Sequence, residues 1–198
     1  MITKGEKTIE EKKKLMAPSS SSSHAVALKK YDVFISFRGE DTRAGFTSHL
    51  YEAFLQSKFH TYIDYKIQKG DQVWAELMKA IKQSTIFLAV FSKNYASSTW
   101  CLNELVEIME CSNKDNVVVI PVFYHIDPSR VRKQTGSYGT ALAKHKKQGS
   151  DHKMMQNWKN ALFQAANLSG FHSTTYRYLF TVCFTFLIVS VTFVINLV

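Results

Sequence analysis

Thr85-Ile86-Phe87-Leu88-Ala89-Val90-Phe91 decides the fold class. Nearly every residue in it is apolar, which suits a strand buried on both faces rather than one with a wet side. Such a strand needs helices above and below, and the flanking sequence supplies them. Upstream, Tyr31-Asp32-Val33-Phe34-Ile35-Ser36-Phe37 is a second β-rich run, ending at Arg38-Gly39-Glu40-Asp41. Thr42 stands where an N-cap would, ahead of a helix to Gln56 with Phe46, Leu50, Phe54 and Leu55 at helical spacing. His60-Thr61-Tyr62-Ile63-Asp64 predicts another strand, then a polar loop closed by Lys69-Gly70-Asp71. A helix over Val73–Gln83 follows, with Val73, Leu77, Ala80 and Ile81 on one face.

Downstream, a helix through Leu102, Leu105, Val106 and Met109 precedes a strand over Val117–Phe123. Pro121 has no N–H to give a ladder, so it fits only if that end of the strand is unpaired. Asp127-Pro128-Ser129 opens a loop region, a short helix follows Gly136-Ser137-Tyr138-Gly139, and another runs from Asp151 to Leu168 with Met154, Met155, Trp158, Leu162 and Ala165 inward. Helices alternating with short apolar strands imply an α/β domain with a parallel sheet and right-handed crossovers. Ligands of such sheets lie at the carboxyl ends of the strands. A site should therefore form among Phe37–Asp41, Asp64–Asp71, Ser92–Trp100 and Tyr124–Arg130.

The 198 residues suit one such domain with tails. The net charge of +9 is uneven: residues 1–30 carry seven Lys and three Glu, and residues 31–172 carry seventeen basic and thirteen acidic side chains. Half of the excess thus belongs to a leader, and no nucleic-acid partner is expected. Residues 1–29, with Lys12-Lys13-Lys14 and a five-serine run, read as a disordered leader in which Met16 is an alternative start. The leader lacks an apolar signal-peptide core, and the three Cys form no CxxC, so the expectation is a cytoplasmic, reduced protein without disulfides. Seven His without ligand spacing predict no metal.

Several chemistries are excluded at the strand ends. No GxGxxG, GxxxxGK[ST] or GxSxG occurs, and Phe91-Ser92-Lys93 offers no phospho-acceptor carboxylate. One constellation survives. Trp100 and Glu104 stand four apart in Trp100-Cys101-Leu102-Asn103-Glu104-Leu105, on one helical face just past the buried strand. They offer an aromatic platform and a carboxylate beside the expected ligand mouth. Taken alone, the same residues also read as a buried anchor and an exposed helix acid.

The stretch Lys30 to Arg43 (KYDVFISFRGEDTR) resembles the opening signature of plant TIR (Toll/interleukin-1 receptor) domains. So do Phe46-Thr47-Ser48-His49-Leu50, Phe91-Ser92-Lys93-Asn94-Tyr95-Ala96, Trp100 to Leu105, Pro121-Val122-Phe123-Tyr124 with Asp127-Pro128, Val131 to Gly139, and Ala165 to Gly170. The likeness spans residues 30–172. It implies a flavodoxin-like fold, a five-stranded parallel sheet in the order 2-1-3-4-5. It also implies an NAD⁺ glycohydrolase of the ADP-ribosyl cyclase kind, acting in plant immune signalling on self-association, with NAD⁺ as substrate and no cofactor. Glu104 falls on the family's catalytic glutamate and Trp100 on the aromatic position beside it. Phe37, Arg38, Gly39 and Asp64 fall on substrate-binding positions, Asp64–Asp71 on a loop that approaches a neighbouring subunit, and Ser48-His49 on a self-association helix. The partners implied are other TIR domains. The reading from another class is a non-catalytic adaptor that binds the TIR domains of immune receptors.

The chain departs from its family after Ser169-Gly170-Phe171-His172, where an amphipathic, acid-rich helix is usual. Residues 173–177 lead instead into Tyr178–Val198, 21 residues without a charge, 16 of them apolar. As a helix this run is long enough, at roughly 31 Å, to cross a bilayer, with Arg177 on the cytosolic side. The expectation is thus a cytosolic domain (30–172) with a hydrophobic membrane anchor (173–198). The competing readings are a helix packed over the sheet in place of the missing one, and read-through past an exon boundary.

Overall fold

The computed structural model describes residues 29–63, 71–114, 117–173 and 180–195. The apolar run forms β3, Ser84–Phe91, in which every residue but Thr85 is buried. It pairs in parallel with β1 (Tyr31–Phe37) on one side and β4 (Val118–Phe123) on the other, so that Ile86 lies opposite both Val33 and Val118. The short β2 (Thr61–Ile63) extends the sheet beyond β1, and β5 (Phe171–His172) extends it beyond β4. The order is 2-1-3-4-5, all parallel, as the resemblance implies.

Side chains alternate along these strands between two apolar clusters, as the two-residue period of a strand requires. Phe34, Phe87, Ala89, Phe91 and Phe123 face one layer of helices: α3 (Asp71–Lys82), α4 (Thr99–Lys114), α6 (Ser137–Lys147) and α7 (His152–Ala165). Val33, Ile35, Ile86, Leu88, Val90 and Val122 face α2 (Ser48–Gln56) on the other side. A short α1 (Gly39–Thr42) and a π-helical turn (Arg43–Thr47) lead into α2.

Four local expectations are corrected. Thr42 does not cap a helix start. The helix begins at Gly39, and the Thr42 hydroxyl bonds back to the Arg38 carbonyl at 3.4 Å. Leu55 and Met154, expected inward, are 43% and 41% exposed. Asp127-Pro128-Ser129 is no loop: Asp127 accepts the Ser129 N–H at 2.7 Å and caps α5 (Pro128–Lys133), with Pro at its first position, where no N–H is needed. Pro121 is accommodated because β5 pairs only with the two residues after it, Val122 and Phe123. Lys29, assigned to the leader, is already tied to the domain: its ammonium donates to the Ser84 carbonyl at 2.9 Å. The rest of that leader lies outside the described residues.

The described part of the apolar tail is α8, Phe180–Ile195. Among the described residues no helix is long and apolar enough to cross a membrane. The described residues thus give no support to the expected membrane anchor over Tyr178–Val198, and the described helix packs on the domain instead. Leu187 and Val191 are fully buried in the cluster that holds Leu50, Phe54 and Val90, over the α2 face of the sheet. Residues 174–179 and 196–198 lie outside the described residues.

Candidate active site

The carboxyl ends of β1 and β3 meet through one carboxylate. Asp41, in α1, accepts the Ser92 hydroxyl at 2.6 Å, the Asn94 backbone N–H at 3.0 Å and the Asn94 carboxamide at 3.3 Å. The oxygen that takes the Asn94 carboxamide also takes the Arg38 guanidinium, at 2.7 Å. Arg38 also pairs with Glu40, whose side chain is 80% exposed. Burial alone would raise the Asp41 pKa; the hydrogen bonds from Ser92 and Asn94 and the Arg38 charge outweigh it and hold the carboxyl below its usual range. The sequence put Phe37–Asp41 and Ser92–Trp100 at the site but did not single out Asp41 or its partners, because contacts across 51 residues leave no local pattern.

A second network lies beneath. The Tyr95 hydroxyl, fully buried in the 3₁₀ turn Tyr95–Ser97, is 2.9 Å from Ser36 Oγ and donates to the Cys101 carbonyl at 3.1 Å. Cys101 Sγ lies 3.6 Å from the Phe37 carbonyl. These contacts dock the first turn of α4 on the end of β1, which brings Phe37 and the Trp100/Glu104 helix together. Burial first, then the nearby Cys101 and Glu104, push Tyr95 well above the usual phenol range, so it stays a donor. Tyr138 of α6 closes the ring from the other side, donating to the Ser92 carbonyl at 2.9 Å.

Glu104 is 5% exposed, one turn inside α4. This carboxylate has an interaction partner in the fold, so it is not stranded. Trp100, four residues before it, is half-buried and meets Trp74 of α3 edge to face, 5.1 Å between centroids. Trp74 was not anticipated: its own helix face gave no reason to place it beside Trp100. Gly39 opens α1, where an added Cβ would come 2.8 Å from the Arg43 guanidinium. That guanidinium lies over the Phe37 ring at 5.2 Å.

The remaining predicted residues sit elsewhere. Asp64, with the rest of the loop to residue 70, lies outside the described residues. Ser48 and His49 are on α2, across the sheet from Glu104. The Ser48 hydroxyl bonds back to the Arg43 carbonyl, and His49 Nδ1 lies 2.8 Å from the Gly45 carbonyl, leaving only the His49 ring exposed. Both satisfy carbonyls of the π-helical turn, a feature that often marks functional segments. Among the described residues no three His, Cys, Asp or Glu gather as a metal site.

Comparison with known proteins agrees with this architecture. The family model described as "TIR domain" matches residues 30–179. The disease resistance protein RPV1 of Vitis rotundifolia is 48% identical over 163 residues, covering 82% of this chain and 12% of its own length. TMV resistance protein N of Nicotiana glutinosa is 50% identical over 157 residues, covering 78% of this chain and 13% of its own. This chain thus spans about an eighth of the curated relatives it matches. Among solved structures, the TIR domains of the activated Roq1 resistosome, which recognises the pathogen effector XopQ, superpose with a TM-score of 0.75 at 44% identity. That match covers 81% of this chain and 99% of the other. The chain belongs to the TIR domain family.

Proposed function

We propose that the chain is an NAD⁺ glycohydrolase of plant immune signalling that becomes active on self-association. The observation that supports it most is Glu104: a nearly buried carboxylate, one turn from an aromatic platform, on a helix docked against the end of β1. Nicotinamide joined to ribose is cationic, so it leaves as a neutral base with the electron pair of the glycosidic bond and needs no proton. Positive charge develops on the ribose, and a fixed carboxylate in a poorly hydrated place stabilises it more than water would. Trp100, steadied by Trp74, holds the flat ring while the bond breaks. Water then bonds to the anomeric carbon and releases its proton, giving ADP-ribose; capture by the adenine instead gives a cyclic product. The substrate's diphosphate meets Arg38 by displacing the exposed Glu40 while Asp41 keeps its hold.

The test is nicotinamide release by the purified full chain and by Glu104→Gln across a concentration series. The proposal expects wild-type turnover per molecule to rise with concentration and the variant to fall by about 10²-fold or more, with an unchanged melting temperature. Equal release by both overturns it. One observation favours the adaptor reading: Arg38 is already neutralised by two carboxylates. No wild-type release at any concentration, together with binding to other TIR domains, would establish that reading instead.

A further inference from the structure

The domain's positive charge is concentrated at one end of the fold. Residues 31–126 carry nine Lys and Arg against eleven Asp and Glu, whereas residues 127–172 carry eight against two. The second set builds α5, α6 and α7, and three of its cations meet. Lys133 at the end of α5, Lys146 on α6 and Lys159 on α7 converge on one cavity of about 320 Å³. Its floor is apolar, made by Leu142 and Met155, both nearly buried. A second lobe of about 150 Å³ shares Lys146, Met155 and Lys159 and adds Ser150, His152 and Gln156.

We infer that this two-lobed cavity binds a nucleotide carrying a diphosphate, at a site separate from Glu104. The larger lobe, about 320 Å³ in volume, has room for a base and ribose against Leu142 and Met155. The shared lysines stand where the lobes join, and the smaller lobe adds hydroxyl, carboxamide and imidazole groups that can donate to phosphate oxygens. Among the described residues no carboxylate lines either lobe. The nearest in sequence, Asp151, is spent on the Lys153 and Met154 backbone N–H groups, at 2.9 and 3.2 Å. The walls are fixed: the Gln134 carboxamide donates to the Lys159 carbonyl at 2.9 Å, tying the end of α5 to α7. Three ammonium groups from three helices line the cavity, and a polyanion is the ligand such a lining suits.

The experiment is equilibrium titration of the full chain with ADP, with adenosine, inorganic pyrophosphate and an acidic peptide as competitors. Lysine acetylation mapped by mass spectrometry reports where ADP binds. Expected are saturable ADP binding, protection of Lys133, Lys146 and Lys159, and about tenfold weaker binding in each of Lys146→Gln and Lys159→Gln. Adenosine should compete poorly, and raised salt should weaken the complex. ADP binding unchanged in both variants, or protection of Lys93 near the Asp41 network instead, overturns the inference. So does an acidic peptide that binds more tightly than ADP, which would make the groove a protein-docking surface. Nicotinamide release by Glu104→Gln is a separate readout, so this site can fail while the catalytic reading stands, and the reverse.

Discussion

Replacing Asp41 with Asn tests whether the meeting of β1 and β3 rests on one charge. The carboxylate accepts four hydrogen bonds, two at each oxygen: Ser92 and the Asn94 N–H at one, Arg38 and the Asn94 carboxamide at the other. A carboxamide has a single acceptor oxygen. If that oxygen faces Ser92, the new NH₂ points at the Arg38 guanidinium, donor against donor. If it is flipped, the Asn94 N–H loses its acceptor. Either arrangement forfeits at least one charged hydrogen bond, about 1.5–3 kcal/mol. The Asp41 side chain is 12% exposed, which leaves little room for water to compensate. A loss of about 2 kcal/mol should lower the melting temperature by roughly 4–8 °C in a domain of this size.

The pH dependence follows from the lowered carboxyl pKa. The stabilisation is fully present above the unfolded value of about 3.9 and is lost as pH falls through the lower folded value. Urea denaturation of wild type and Asp41→Asn at pH 7, 5 and 3 should therefore show a gap that is constant between the first two and narrowed at the third. Arg38→Ala alone and with Asp41→Asn completes a double-mutant cycle, in which these contacting groups should couple. A gap below about 0.5 kcal/mol at pH 7, or one that widens in acid, refutes the assignment of this carboxylate as the joint.

Three further substitutions probe separate links. Gly170→Ala should destabilise by about 1–3 kcal/mol or more in a denaturant melt, because its Cβ would lie 2.2 Å from the Pro121 carbonyl oxygen, which the β4 backbone cannot move cheaply. Tyr95→Phe removes the hydroxyl shared by Ser36 and the Cys101 carbonyl, and should cost about 1–3 kcal/mol while also slowing nicotinamide release, since it loosens α4; unchanged stability and rate would separate the network from the site. Leu187→Ala should cost about 2–5 kcal/mol, as for any fully buried leucine, whereas Phe193→Ala, at a position 65% exposed, should change little; equal small effects would show that α8 does not seal the α2 face.

Much of the sheet is legible because burial on both faces leaves a continuous apolar run, and β1 was placed residue for residue over Tyr31–Phe37. Helix faces were legible where the period was undisturbed, as at Leu77, Ala80 and Ile81. They failed at Leu55 and Met154, end positions where an apolar side chain meets water at little cost. Thr42 misled because a threonine hydroxyl can bond backward as well as forward, and the π-helical turn after it has no compositional mark. At the site, Glu104 and Trp100 were legible as an i, i+4 pair. Asp41, Tyr95, Tyr138 and Trp74 were not, since each acts through a contact between segments far apart in the chain.

The tail shows why composition alone leaves two readings open there. Every face of Phe180–Ile195 is apolar, so nothing in the pattern distinguishes a lipid-facing helix from one laid on a protein. What decides is the rest of the fold. In this chain Leu50, Phe54 and Val90 on the α2 side of the sheet are fully buried in one cluster with Leu187 and Val191 of α8. A helix that seals such a face needs only one apolar stripe, and Val189 and Phe193 on its outer side remain exposed at 57% and 65%. Because α8 lies against α2, which carries Ser48 and His49, any assembly through these two helices has to form beside an exposed apolar stripe.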